Sequence, residues 1–488
     1  MDEPERFILL TTDKLTHRVP LADESDNTEN WHKFFHIMDH TSDLTFLSLH
    51  LPDSMWPDVC RQHAQWTFPR LEHLEVHGEN MVEASVRDDD DGYDNSTPFI
   101  APGLKHLRSE NFNISIIDNL LTPRLEILEI SSNADFYVDT VLSTLKRMPN
   151  LKELHLWLDI QFRPDDKDPT EVVHFHQLQT LDLHINNSAE GKVFSLLSYP
   201  RTAYTTAYLH LWDHANLAKT MRSVSTKINQ IVDGGDFRHC TVHHEGSRKT
   251  HATFSSLTQL HNRRSGQGPA EPKLEVLLDD YPPDTEALVL ANMMDSFSLA
   301  FGLVEHLELR DLKPCDKDGG NDWADESTSF PEGLFVTAGG NPADPYQILK
   351  LGHAFPSLKA LHLDGIRFRR RWPDDYANHA SFLHILQKAT VRALHEPDPH
   401  LTHLTITNAV NLVEVDAANS LNRMAAGMIW DEQERFENCT REYVEEVVEQ
   451  QGRMSEEEVD WMRLWLESRH SESHSQFEFD SESESESE

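Results

Sequence analysis

Cysteine is scarce in this chain: four residues in 488, at Cys60, Cys240, Cys315 and Cys439, with no C-x-x-C pair. That spacing argues against a disulfide framework and for a reducing compartment. Long apolar runs are missing as well. No stretch approaches the roughly 18 residues of a membrane-crossing helix, and the start, MDEPERFILL, lacks the basic and apolar regions of a secretory signal. The expectation is a cytoplasmic or nuclear protein with no membrane association. Positive charge is also short, with 43 Lys and Arg against 83 Asp and Glu, for a net charge of -40. Such a field repels phosphate backbones at long range, so nucleic acid is not an expected partner. Phosphate-loop, dinucleotide, nucleophile-elbow and H-E-x-x-H motifs are absent. The chain therefore reads as non-enzymatic, with no catalytic, cofactor-binding or metal-binding residue assigned.

What is present is repetition. The frame L-x-x-L-x-L recurs as LTFLSL from Leu44, LEHLEV from Leu71, LKHLRS from Leu104, LEILEI from Leu125, LKELHL from Leu151 and LQTLDL from Leu178. It continues as TAYLHL from Thr206, TEALVL from Thr285, VEHLEL from Val304, LKALHL from Leu358 and LTHLTI from Leu401. The first seven copies start roughly 21 to 33 residues apart, close to the roughly 20–29 of leucine-rich repeats. Side chains alternate along a strand, so Leu154 and Leu156 face inward while Glu153, His155 and Trp157 face outward. One repeat cannot bury such leucines; stacked neighbours can. Between copies, Val138, Val141, Leu142, Leu145 and Met148 fall on one helical face ended by Pro149. The expected fold is thus α/β: an irregular leucine-rich-repeat solenoid with a parallel sheet on the concave face and helices on the convex face.

The expected organisation is a lead-in and helical cap over 1–43, the repeat body over 44–415, a helical C-terminal region over 416–468, and a disordered Ser/Glu tail over 469–488. Trp31, Phe34, Phe35 and Met38 mark the N-terminal capping helix. The repeat signal vanishes over 219–273, which is locally basic and reads as degenerate repeats or an insertion. That stretch has a second reading, as a dock for an acidic segment such as the chain's own tail. Residues 313–345 read as a loop insertion. Neither the acidic loop from Asp88 to Asp94 nor Asp316, Asp318 and Asp322 fits a calcium-loop template. Ser455 and Glu458 form a capping box ahead of Val459, Met462 and Trp465.

Many of the 30 histidines flank repeat leucines, and several project outward: His73, His77, His155, His184, His210, His306, His362 and His403. Acids and tryptophans alternate with them. Aromatic side chains beside charge are the usual anchors of binding energy, so His155, Trp157, Asp182, His184, His210 and Trp212 form the candidate partner-binding set. Repeat spacing alone fixes no coordination geometry. Two other readings stay open: an acidic, tail-driven binder of basic proteins, and a His/acid hydrolase or metal protein.

The lead-in His17-Arg18-Val19-Pro20-Leu21, then Trp31 with Phe34, Phe35 and His40 before LTFLSL, carries a resemblance, as do FPRLEHLEV, APGLKHLRSENF and FPSLKALHL. In these features the chain resembles the repeat region of fungal, mushroom-type F-box proteins, from about Leu15 to Ala409. The resemblance implies a substrate-recognition arm that docks, through an F-box, on the Skp adaptor of a cullin ubiquitin ligase. The F-box itself has no counterpart before Leu44. A truncated start, or a member that keeps recognition without the ligase link, accounts for that. The expected partner is a protein held on the concave face, with the Skp adaptor added if an F-box lies upstream.

Overall fold

The computed structural model describes residues 7–431, apart from 13–15, 21–26, 39–40, 52–54, 57–58, 60–65, 83–98, 113, 115, 164–168, 212–213, 245–248, 257–272, 280, 282–285, 312–331, 342–343, 349–350, 369–381, 391–400 and 414–420. The acidic loop from Asp88 to Asp94, the Ser455 capping box, the tail and most of the 313–345 insertion lie outside the described residues. The chain divides into two units. The first holds Met1–His210, Lys219–Lys227 and Gly268–Val276; the second holds Leu211–Ala218, Ile228–Gln267 and Leu277–Glu488.

In the first unit, strands β1 (Phe7–Thr12) and β2 (Thr16–Pro20) form an antiparallel hairpin that lies beside β3 (Leu44–His50). From β3 the sheet runs in parallel through β4 (His73–Val82), β5 (His106–Phe112), β6 (Ile127–Tyr137), β7 (Glu153–Gln161), β8 (Thr180–Ile185) and β9 (Tyr204–His210). The register explains why. Leu47 pairs with Leu74, then Leu107, Leu128, Leu154 and Leu181, a single file of leucines ending on Thr205. All six leucines are fully buried. A second file, Leu49, Val76, Ser109, Ile130, Leu156 and Leu183, ends on Ala207. Each large aliphatic side chain in these files contributes about 1.5–3 kcal/mol of burial, which no strand achieves alone.

Helix α1 (Asn27–Met38) buries Phe34 and Met38, and Phe34 meets Trp66 edge-on at 5.4 Å. Helix α2 (Val138–Lys146) buries Val138, Val141, Leu142 and Leu145. Helix α3 (Ser188–Leu196) begins at a capping box: Asn187 accepts from the Ala189 and Glu190 amides while Glu190 reaches back to the Asn187 amide. The Glu190 carboxylate is buried, which pushes its pKa up to about 7, although the Ile160, Asn186 and Asn187 amides donate to it. Helix α4 (His214–Gly234) passes through both units, and its Ser223 lies so near Gly191 that a Cβ there would come within 1.8 Å of the hydroxyl.

In the second unit, β10 (His239–His244) and β11 (Lys249–Ser255) form an antiparallel hairpin. Strand β12 (Leu274–Asp279) contributes Leu277–Asp279 here and its first half to the first unit. On its other side β10 pairs in parallel with β13 (His306–Asp311), followed by β14 (Ala360–Asp364), β15 (Leu401–Thr407) and β16 (Ala425–Trp430). The unit also holds helices α5 (Glu286–Ser296), α6 (Ser298–Gly302), α7 (Leu351–Ala354) and α8 (Phe382–Thr390), and a separate antiparallel pair, Val336–Asn341 with Asp344–Ile348, which begins inside the expected 313–345 loop. Gly365, at φ +69°, turns the chain after β14, where any Cβ would lie 2.6 Å from the Asp311 carbonyl oxygen.

The expected leucine-rich-repeat solenoid is not what forms. A solenoid requires each repeat to touch its neighbours in chain order and to carry its own crossover. Here the strand order departs from the chain order: in the second unit the mostly parallel sheet runs from Leu277–Asp279 of β12 back through β11 to β10 before reaching β13, and each unit includes an antiparallel pair. Nor is there a regular file of helices on an outer face. The connection from β5 to β6 carries only the 3-10 turn Asp118–Leu120 among its described residues, and that from β7 to β8 carries no helix among them. The segment from Thr285 is no strand either, for Glu286–Ser296 is helical. Its Val289, Leu290, Met293, Met294 and Phe297 are all buried at i, i+1, i+4, i+5 and i+8, so a helical face decides the local structure. Within the expected helical region 416–468, Ala425–Trp430 is a strand, and 219–273 holds most of α4 and the β10–β11 hairpin.

Candidate functional site

Because successive side chains alternate, burying the two leucine files in the first unit sends the intervening residues to the opposite face. The parallel register then lines them up. One outward file reads His50, His77, Glu110, Ser131 and Trp157, with His184 and Tyr208 continuing it. The adjacent file reads Ser48, Glu75, Arg108, Glu129, His155 and Asp182. A shallow groove of about 280 Å³ opens between them, walled by Arg108, Glu110, Glu129, His155, Trp157 and Asp182, with His184 and Tyr208 at one end.

Five of the six residues singled out from the sequence converge here. Trp157 is half-exposed at 49 % and lies flat on His184, with ring centroids 4.5 Å apart and planes 6° apart. His184 stacks in turn on Tyr208 at 4.3 Å, and its Nδ1 is 2.9 Å from His210 Nε2. His155 Nδ1 is 2.7 Å from Asp182 Oδ2, and that hydrogen bond raises the pKa of His155 above its ordinary value, against the burial that lowers it. Trp212 lies outside the described residues. Arg108, Glu110, Glu129 and Tyr208 also belong to the groove; the sequence marked Glu129 only as one of the outward acids alternating with the histidines, and the other three not at all. Their signal was positional, since each occupies the place in its strand that His155 or Trp157 occupies in β7. Tyr208 is the exception that proves hardest to see. The seventh copy sits four residues out of step, with Leu209 paired to Ile185 rather than to Leu181. A slip by an even number of residues keeps every side chain on its face, whereas a one-residue slip would invert them all.

Charge is distributed in closed pairs. Arg108 Nη2 contacts Glu110 Oε1, and its Nε lies 3.8 Å from Glu129 Oε2. His106 Nε2 is 2.9 Å from Glu129 Oε1, and this bond, outweighing burial, holds the Glu129 carboxyl below its usual range. Glu110 falls to about 2, chiefly through its hydrogen bond with His77. Further along, Glu75 is held well below the carboxylate range by its hydrogen bond with His73 and by the adjacent His77 imidazole, while burial and the neighbouring His77 push His50 down to about 4.

In the second unit the outward histidines His306, His362 and His403 lie on β13, β14 and β15. Glu308 is the centre there. His362 Nδ1 lies 2.9 Å from its Oε1, Arg310 donates to the same oxygen at 2.6 Å, and His239 Nε2 lies 3.8 Å from Oε2. Burial pushes the Glu308 carboxyl up, but the bonds from His362 and Arg310 outweigh it and bring the pKa to about 2.

No family model matches the chain, and no curated protein matches it. Among the described residues, no helix is long and apolar enough to cross a membrane.

Proposed function

We propose that the outward face of the first unit's sheet recognises a protein partner, with Trp157 as its anchor and the His155–Asp182 pair and Glu129 beside it as polar contacts. The observation that carries this reading is the Trp157 side chain itself. A half-exposed indole held flat against His184 presents a rigid apolar surface, and its order costs no further side-chain entropy on binding. Tryptophan is enriched among residues that dominate binding energy. The three carboxylates of the groove favour a partner segment that places a basic side chain near Asp182 and Glu129 and an apolar or planar group on Trp157.

The resemblance to the repeat regions of fungal F-box proteins supports a place for this recognition in substrate choice by a ubiquitin ligase. The test is affinity purification with the full-length chain, Trp157→Ala, and a chain lacking residues 471–488. Proteins recovered by the full-length and tail-deleted chains but lost with Trp157→Ala support recognition by this face. Recovery lost only on tail deletion, with strong sensitivity to salt, would instead favour an acidic, tail-driven binder. Co-purification of the Skp adaptor tests the ligase link separately.

A further inference from the structure

We propose that His50, Glu75 and His77, on the outward face of β3 and β4, form a binding site for a divalent transition-metal ion of the zinc class. The three side chains offer two imidazole nitrogens and a carboxylate oxygen, all within 4.8 Å of one another. His50 and His77 face each other in register, with ring centroids 3.8 Å apart. Glu75 lies two residues before His77, on the same face of β4.

What distinguishes this cluster from the other histidine–acid pairs is the state of His77. Its Nδ1 is 2.8 Å from Glu110 Oε2, which fixes that nitrogen as the donor. Nε2 is thereby left to point toward Glu75 and His50. That atom is buried, in a side chain only 10 % exposed, and makes no hydrogen bond. The Glu75 Oε2 nearest it is 3.6 Å away, too far for a hydrogen bond. A buried polar atom that makes no hydrogen bond carries a cost of about 1–3 kcal/mol, and a metal ion at this point would remove it. The carboxylate–histidine–metal arrangement is the usual way in which a second sphere orients a ligating imidazole. Glu110 stands in that position for His77. His73 Nε2, 3.1 Å from Glu75 Oε1, holds the carboxylate so that Oε2 is turned to the site. Trp56 Nε1 donates to the His77 carbonyl at 3.2 Å and anchors the strand beneath.

The donor set selects the ion. Two imidazoles and one carboxylate suit zinc and its neighbours better than calcium or magnesium, which require mostly oxygen ligands. Drawing the three ligand atoms to about 3.4 Å separations, as tetrahedral zinc requires with bonds of about 2.0–2.1 Å, calls for side-chain rotation of half-buried His50 and Glu75. The fourth position is left to water.

The experiment uses the full-length chain after chelator treatment, titrated with Zn²⁺ in competition with a chromophoric chelator, and with Co²⁺ followed by its visible spectrum. One equivalent should bind with sub-micromolar Kd and give the intense bands of a four-coordinate cobalt site. His50→Ala and His77→Ala should each weaken this binding at least 100-fold. Glu110→Gln should weaken it about 10–100-fold without abolishing it. Trp157→Ala, which removes no ligand, should leave it unchanged. His50 is only half-buried, so His50→Ala remains folded and decides the matter if His77→Ala does not fold. Absence of a sub-micromolar equivalent in the folded full-length chain would overturn the proposal. So would unchanged affinity in His50→Ala, which would assign the metal to other histidines.

Discussion

Trp157 and His184, on neighbouring strands β7 and β8, lie as parallel plates 4.5 Å apart. The contact holds an indole at the sheet surface without burying it, so its contribution to folding is small, while under the proposed function its contribution to recognition is large. Trp157→Ala should leave the unfolding free energy within about 0.5 kcal/mol of the parent, as expected for a surface site. It should weaken partner affinity by about 2 kcal/mol or more, the range of anchoring residues. Chemical denaturation and a binding titration on the same preparation read both quantities. A variant that unfolds readily would show that the indole is a packing element instead.

His155 and Asp182 form a pair whose consequence is spectroscopic. The hydrogen bond to Asp182 raises the pKa of His155 above 6.5. An NMR pH titration of the His155 ring should therefore show an elevated midpoint, and Asp182→Asn should lower it. No movement on that substitution would mean that the 2.7 Å contact does not persist in solution.

Leu181 stands at the end of the inner leucine file and is fully buried between Leu154 and Thr205. Truncation to alanine removes its burial and leaves a void, at a cost of about 2–5 kcal/mol. Thermal or urea unfolding measures the loss. A cost below 1 kcal/mol would contradict the tight file described here.

Glu308 links stability to acidity. Its pKa drops from the ordinary 4.5 to about 2, so the folded state holds the carboxylate ionised more strongly than the unfolded chain does. The stabilisation is present above pH 4.5 and is lost as pH falls toward 2. The parent chain should therefore be more stable than Glu308→Gln above pH 4.5, by an amount on the order of 2–3 kcal/mol, and the gap should narrow between pH 4.5 and 3. Paired urea titrations across that range give the gap directly, and one that stays constant with pH would argue against the His362 and Arg310 contacts.

Asn187 tests the local code. As the N-cap of α3 it accepts from Ala189 N at 2.7 Å, and Asn187→Ala should cost about 1 kcal/mol. Asn187→Ser, which restores an acceptor, should recover most of it.

Where inward positions were leucine, the strands were legible from the sequence, because two buried leucines spaced by one residue admit little but a strand in a parallel stack. Where inward positions were of other types, the pattern was silent. The β10–β11 hairpin buries Cys240, Val242, His244, Thr250, Ala252 and Phe254, a mixture with no leucine in it. Thr250 is satisfied by the Tyr281 hydroxyl at 2.9 Å, a contact that no local pattern announces. The opposite error arose at Thr285, where closely spaced apolar residues fit both periods and helical burial won. The lead-in was half legible: α1 follows its aromatic spacing, but the β1–β2 hairpin on β3 did not show in the local pattern. For the site, the face of His155, Trp157, Asp182, His184 and His210 follows from alternation alone. Which residues meet across strands depends on register, and so Glu110 and Tyr208, and with them the His50–His77 stack, became visible only in three dimensions.

The alternation that builds the first unit also decouples its two faces. Every groove residue but Glu110, which adjoins the half-buried Asn111, sits between buried neighbours on its own strand, and none of those neighbours depends on what the groove residue is. Substitutions along the outer files can therefore accumulate, by drift or by a deliberately randomised library, while the interior keeps its spelling. Such a scaffold can exchange one outer surface chemistry for another without passing through an unfolded intermediate form.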